Sequence, residues 1–143
     1  MIIKALNNES NREVNHAKQK LLIIDDDEAS RLLIVEILSD GCTSIIEAKC
    51  GKEALFLFKK YSEELALVFL DIKLPDCSGW ELISQFRSEN YSVPIIAISA
   101  TNPNELKERC EVAGFDSYLS KPFDIKDMEQ IVEFYLKQKS ISI

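Results

Sequence analysis

Residues 21–31 read LLIIDDDEASR: four apolar residues run straight into three aspartates and a glutamate. A short Leu/Ile run of this kind is what a strand buried on both faces looks like. Four similar runs follow, SIIEA at 44–48, ALVFL at 66–70, PIIAIS at 94–99 and SYLS at 117–120. Between them the periodicity changes to a helical one, over 28–39, 51–60, 79–88, 103–113 and 124–138. Strands that alternate with helices in this way build a parallel sheet covered on both faces, an α/β sandwich of three layers. Asp124 stands where the fifth helix needs an N-cap, with Ile125, Met128, Val132 and Tyr135 as its buried stripe. The fourth helix has only Leu106, Cys110 and Ala113 on its apolar side, and Gly114 follows it where a left-handed C-cap is wanted.

Composition narrows the function classes. The chain has 143 residues, 46% of them apolar and 29% charged, which suits one globular domain with a sizeable core. Its net charge of −7 argues against nucleic acid and anionic membrane as partners. No run approaches a membrane span, and MIIKALNNES at the start lacks the apolar region of a signal peptide. Cys42, Cys50, Cys77 and Cys110 form no C-x-x-C pair and read as small core residues of a protein in a reducing cytoplasm. His16, the only histidine, has no ligand-like neighbour in sequence. Residues 1–19 read as a polar extension, 20–139 as the domain and 140–143 as a tail.

The acidic run gains a meaning from this architecture. Ligands of open parallel sheets bind beyond the carboxyl ends of the strands. Asp25 and Asp26 end the first strand, and Asp71 ends the third in ALVFLDIKLPDCSG. If those strands are neighbours, three carboxylates converge, and each like-charged pair at about 4 Å costs about 4 kcal/mol at an effective dielectric near 20. Such a cluster takes up a proton or a cation, and oxygen-only ligands select a hard one such as Mg²⁺. A carboxylate there can also attack phosphorus and become an aspartyl phosphate. Ser99 ends the fourth strand and Lys121 the fifth, so a hydroxyl and an ammonium stand ready for phosphoryl oxygens.

LLIIDDDEASR, LDIKLPDCSG, ISA and KPF, in this order, resemble the receiver domain of two-component response regulators. The spacing is eight residues from Asp71 to Gly79 and 22 from Ser99 to Lys121. The resemblance spans residues 20–139 and implies a flavodoxin-like doubly wound (βα)5 fold with strand order 2-1-3-4-5. It implies Asp71 as phosphoacceptor, with Mg²⁺ held by Asp26 directly, by Asp25 partly through water, by Asp71 and by the Lys73 backbone carbonyl. It further implies Ser99 as switch hydroxyl, Tyr118 as switch aromatic, Lys121 as the phosphate-binding lysine, and a cis Lys121–Pro122 bond. Lys73 and Thr101 occupy positions that tune the phosphoryl lifetime in the family. Asp27 and Glu28 match no ligand and are expected to cap the first helix. Trp80 and Phe123 are expected to pack, Phe123 also beside a docking surface of Ala29, Ser30 and Leu33.

The function so implied is that of a phosphorylated switch in a phosphorelay. Its partners would be a histidine kinase or histidine phosphotransfer protein and a downstream protein target. The responsive face would be helix four, strand five and helix five, and a homodimer through it is compatible with the sequence. The chain would be a stand-alone receiver or the receiver part of a hybrid histidine kinase; the initial Met and the polar extension lean weakly to the former. A receiver-like module that binds without phosphorylation would be expected to have lost some of the five key side chains, and all five are present. An aspartyl-phosphate phosphohydrolase needs a second aspartate two residues after the nucleophile, where this chain has Lys73.

Overall fold

The apolar runs become five parallel strands. A computed structural model describes residues 20–38, 44–89, 92–100 and 103–141. The strands are β1 (Lys20–Ile24), β2 (Ser44–Ala48), β3 (Leu65–Asp71), β4 (Ile95–Ser99) and β5 (Ser117–Ser120). They alternate with α1 (Glu28–Leu38), α2 (Gly51–Lys60), α3 (Gly79–Glu89), α4 (Pro103–Ala113) and α5 (Ile125–Ile141). The sheet order is β2-β1-β3-β4-β5, so β1 and β3 are neighbours and the chain reverses direction across the sheet between them. Thr101, Cys42, His16 and the extension 1–19 lie outside the described residues.

The period of two along each strand sorts the core into two layers. Leu22, Ile24, Val68, Leu70, Ile95 and Ala97 face α2, α3 and α4. Leu21, Ile23, Leu67, Phe69, Ile96 and Ile98 face α1 and α5. All seven residues of β3 are buried, as a central strand between two helical layers requires. Each large side chain so buried contributes about 1.5–3 kcal/mol. Phe58 of α2 stacks on Phe86 of α3 with ring centroids 4.1 Å apart.

The helices start and stop largely as the local chemistry dictates. Asp124 caps α5, its carboxylate accepting the Lys126 N–H at 2.9 Å. Gly114 ends α4 at φ +109°, and its N–H and that of Phe115 both reach the Cys110 carbonyl. The α5 stripe differs from expectation at one end. Met128 is buried and Val132 and Tyr135 are half-buried, but Ile125 is 51% exposed. The Asp124 cap starts the helix a turn before it meets the sheet, so packing begins at Met128 and adds Ile131. Of the cysteines expected inside, Cys110 is buried, whereas Cys50 and Cys77 are half-buried. No helix among the described residues is long and apolar enough to cross a membrane.

A half-buried cation ties α3 to the starts of β4 and β5. Arg87 donates to the carbonyls of Gly114 and Val93 at 2.7 Å each, and pairs with Asp116 at 2.7 Å. Asp116 also accepts the N–H of Ile95, so the cluster locks the starts of β4 and β5 together. Removing the guanidinium strands several acceptors at once. Arg87→Ala is therefore expected to lose about 3 kcal/mol in urea unfolding, with an unchanged dependence on denaturant.

Candidate phosphoacceptor and cation site

The site is assembled where β1, β3, β4 and β5 end. Asp25 follows β1 and is fully buried; Asp26 beside it is exposed; Asp71 closes β3 and is 5% exposed. Ligand oxygens of the three carboxylates lie within 4.8 Å of one another. Lys121, one residue past β5, brings its ammonium to 2.8 Å from Asp25 Oδ2 and 3.0 Å from Asp71 Oδ2. Strand parity explains the meeting. Asp25, Asp71 and Lys121 each stand two residues beyond a side chain of the same core layer, Ile23, Phe69 and Leu119.

Backbone groups hold the carboxylates in place. Asp25 Oδ1 accepts the N–H of Asp27, and Asp71 Oδ1 accepts the N–H of Lys73, each at 2.9 Å. These two-residue turns leave the Oδ2 atoms directed at the Lys121 ammonium. The Asp71 contact is a hydrogen bond, whereas the shorter Asp25 contact is an ion pair whose geometry is not that of a hydrogen bond. Asp25 Oδ2 is thus a buried oxygen with no hydrogen bond of its own. Three carboxylate oxygen donors gathered in this way fit a hard divalent cation. The acidic cluster could hold such an ion.

The electrostatics are those of an under-neutralised pocket. Burial pushes the Asp71 carboxyl up to about 6, and the Asp25 charge adds to this, against the pull of the Lys73 N–H and the Lys121 ammonium. For Lys121, burial disfavours the charge, but the nearby Asp25 and Asp71 carboxylates outweigh it and its pKa rises. Asp27 lies outside the cluster, as expected of a cap. It accepts the Ser30 hydroxyl at 2.7 Å, and this bond with the Ala29 and Ser30 N–H groups lowers its pKa.

The remaining candidates fall on the α4 side of the sheet. Ser99 ends β4, is 7% exposed, and its carbonyl accepts the Lys121 N–H at 2.7 Å. It lines the same pocket as Asp26, Asp71 and Lys121. Tyr118 is half-buried beside Ala97 in the β4–β5 register and packs on the layer beneath α2, α3 and α4. Ser99 and Tyr118 therefore share one layer. Lys73 forms a bridge with Ser78 in the loop that follows β3. The Lys121–Pro122 bond is cis. Gly79 allows that loop to close: a Cβ there would stand 2.7 Å from the Ile72 backbone.

Two site-supporting residues escaped the sequence reading. Asp76 accepts the N–H groups of Gly51 and Lys52 at 2.7 and 3.0 Å, capping α2 from the loop after β3. The signal was indirect, since Cys50 at the N-cap position supplies no side-chain bond. Arg31 is the other. It occupies an apolar-stripe position with Ile34 and Leu38, and its Nη1 donates to the Asp25 carbonyl at 2.7 Å.

This geometry has counterparts in known proteins. The family model for the response regulator receiver domain matches residues 21–133. Sporulation initiation phosphotransferase F of Bacillus subtilis is 29% identical over 122 residues, with 85% of this chain and 97% of that protein covered. A probable transcriptional regulator, ycf27 of Porphyridium aerugineum, is 33% identical over 121 residues, covering 85% of this chain and 49% of that one. The chain thus spans about half the length of this relative and of its counterpart in Porphyra purpurea. Among solved structures, the receiver domain of the Francisella response regulator 1452 is 30% identical, with a TM-score of 0.75 over 85% of this chain and 98% of that one. The chain belongs to the response regulator receiver domain family of two-component signal transduction.

Proposed function

We propose that Asp71 is the phosphoacceptor of a phosphorylation-driven switch, and that Asp25, Asp26, Asp71 and the Lys73 carbonyl hold Mg²⁺. The observation that carries this reading is the Lys121 ammonium shared between Asp25 and Asp71 at the mouth of a pocket lined by Ser99. An Asp71 carboxylate oxygen attacks the phosphorus of a phosphohistidine or a small acyl phosphate. The new O–P bond forms as the donor's P–N or P–O bond breaks, and a departing imidazole nitrogen takes up a proton. When bound, the cation neutralises charge on the acidic cluster and on the incoming phosphoryl oxygens. Lys121 pairs with one phosphoryl oxygen and the Ser99 hydroxyl donates to another. Water later attacks the phosphorus and releases phosphate.

Ser99 drawn toward the phosphoryl group would leave space in the layer it shares with Tyr118. The switch then shifts the population of the α4–β5–α5 face, and the downstream protein target reads that face. The donor is a histidine kinase or histidine phosphotransfer protein docking beside Ala29, Ser30, Leu33 and Phe123, which line a groove next to Lys121. The chain is a self-modifying switch and not an enzyme with a separate substrate.

Intact mass after incubation with acetyl phosphate and Mg²⁺ tests the reading. A gain of about 80 Da, one phosphoryl group, is expected for the wild-type chain and none for Asp71→Asn. No gain from acetyl phosphate or from a phosphohistidine protein would defeat it.

Metal-free stability gives a separate check. The folded Asp71 pKa lies above its unfolded value of 3.8, so the folded state binds the extra proton. That contribution is fully present below pH 3.8 and is lost as pH rises through about 6. Without divalent cations at neutral pH, Asp71→Asn is expected to be more stable than wild type by roughly 1–2 kcal/mol, screening having trimmed the full shift. Added Mg²⁺ should stabilise the wild type and narrow the gap.

A further inference from the structure

Arg31 is buried, in a setting different from that of the half-buried Arg87. Arg31 is 5% exposed on α1, and its Nη1 donates to the Asp25 carbonyl at 2.7 Å. Its Nε donates to Glu47 of β2 at 3.1 Å, and that side chain is 45% exposed. A buried guanidinium whose carboxylate partner is half in water is a costly way to fill a stripe that Ile34 and Leu38 otherwise supply. What it does touch is the main chain of the acidic turn.

Asp25 is held at three of its polar groups. Its N–H donates to the Ala48 carbonyl at 3.0 Å, its Oδ1 accepts the Asp27 N–H, and its carbonyl accepts from Arg31. The fourth, Oδ2, is the buried oxygen that faces the Lys121 ammonium at 2.8 Å. We infer that Arg31 is a positioning residue for the divalent cation: it fixes the carbonyl between Asp25 and Asp26 so that both carboxylates meet Asp71. Glu47 in turn orients the guanidinium, and through it the β2 edge of the sheet. The inference rests on the cation site proposed above. Neighbours of this kind, one bond removed from the ligands, commonly govern metal affinity by about 10- to 100-fold.

Charge and position make opposite demands. As a positive charge near the site, Arg31 repels a cation, and its loss through charge alone would tighten binding. As a positioning group, its loss loosens the turn and weakens binding. The sign of the change therefore identifies the role.

Mg²⁺ titration by calorimetry on the purified full chain reads it directly, without phosphorylation. Arg31→Ala and Arg31→Lys are both expected to raise the Mg²⁺ dissociation constant by about 10-fold or more, since lysine keeps the charge but not the planar fork. Arg87→Ala, which removes another structural guanidinium away from the acids, should leave it unchanged. Circular dichroism confirms that each variant is folded; if Arg31→Ala is not, Arg31→Lys decides. Wild-type affinity, or tighter binding, in the folded variants overturns the role of Arg31. A wild-type chain that takes up no Mg²⁺ overturns the cation site itself, and this inference with it.

Discussion

One ammonium shared by two buried carboxylates is the contact around which this fold is arranged. Lys121 reaches Asp25 and Asp71 from the end of a strand two positions away from β3 in the sheet. A pair of like charges near 4 Å costs about 4 kcal/mol at an effective dielectric near 20, and one cation beside three acids offsets only part of that. Burial, with a smaller push from the Asp25 charge, holds the Asp71 carboxyl up to about 6. The pocket is built short of positive charge.

Keeping acids in so unfavourable a place demands backbone restraint. Asp25 and Asp71 use the same device, a carboxylate whose Oδ1 accepts the N–H two residues on, so each is pinned by its own turn as well as by the distant Lys121. The turns are anchored in their own ways. Gly79 lets the start of α3 lie against Ile72, its N–H donating to the Ile72 carbonyl, and Asp76 fastens the same loop to the first N–H groups of α2. Substituting any larger residue at Gly79 would press on the Ile72 backbone, next to Asp71, and so would be felt at the site before it was felt in the core.

Much of this was legible in the sequence because it depends on short, local patterns. A run such as LLII before DDD states both the buried strand and the carboxylates at its end. The parity of the strands then decides which side chains can meet. Legibility failed where a residue's role is set by something distant in sequence. Asp76 caps a helix 25 residues upstream, so no local capping pattern announces it. Arg31 looks like a solvated charge on an amphipathic helix until Glu47 and the Asp25 carbonyl arrive from β2 and β1. Ile125 fitted the helical period but not the point at which α5 reaches the sheet, which periodicity does not encode.

The anchoring of α4 shows how a change at the site can reach a surface. Its buried side chains are Leu106 and Cys110, few for an 11-residue helix. Ala113 packs partly buried on the same layer, and an aromatic contact adds to this: the Arg109 guanidinium lies 4.0 Å from the centroid of the Trp80 ring, and Trp80 meets Phe115 edge-on at 5.8 Å. Trp80 directly follows Gly79 and lines the same pocket as Asp71. A cation–π contact of this partly exposed kind is worth about 0.5–1 kcal/mol, comparable to thermal energy. The helix is thus held in part by the first turn of α3, which follows the loop after Asp71, through a contact weak enough to exchange. A helix secured by so few buried side chains and one such stack lies at the low end of local stability, the kind of element whose position a small rearrangement nearby can redistribute.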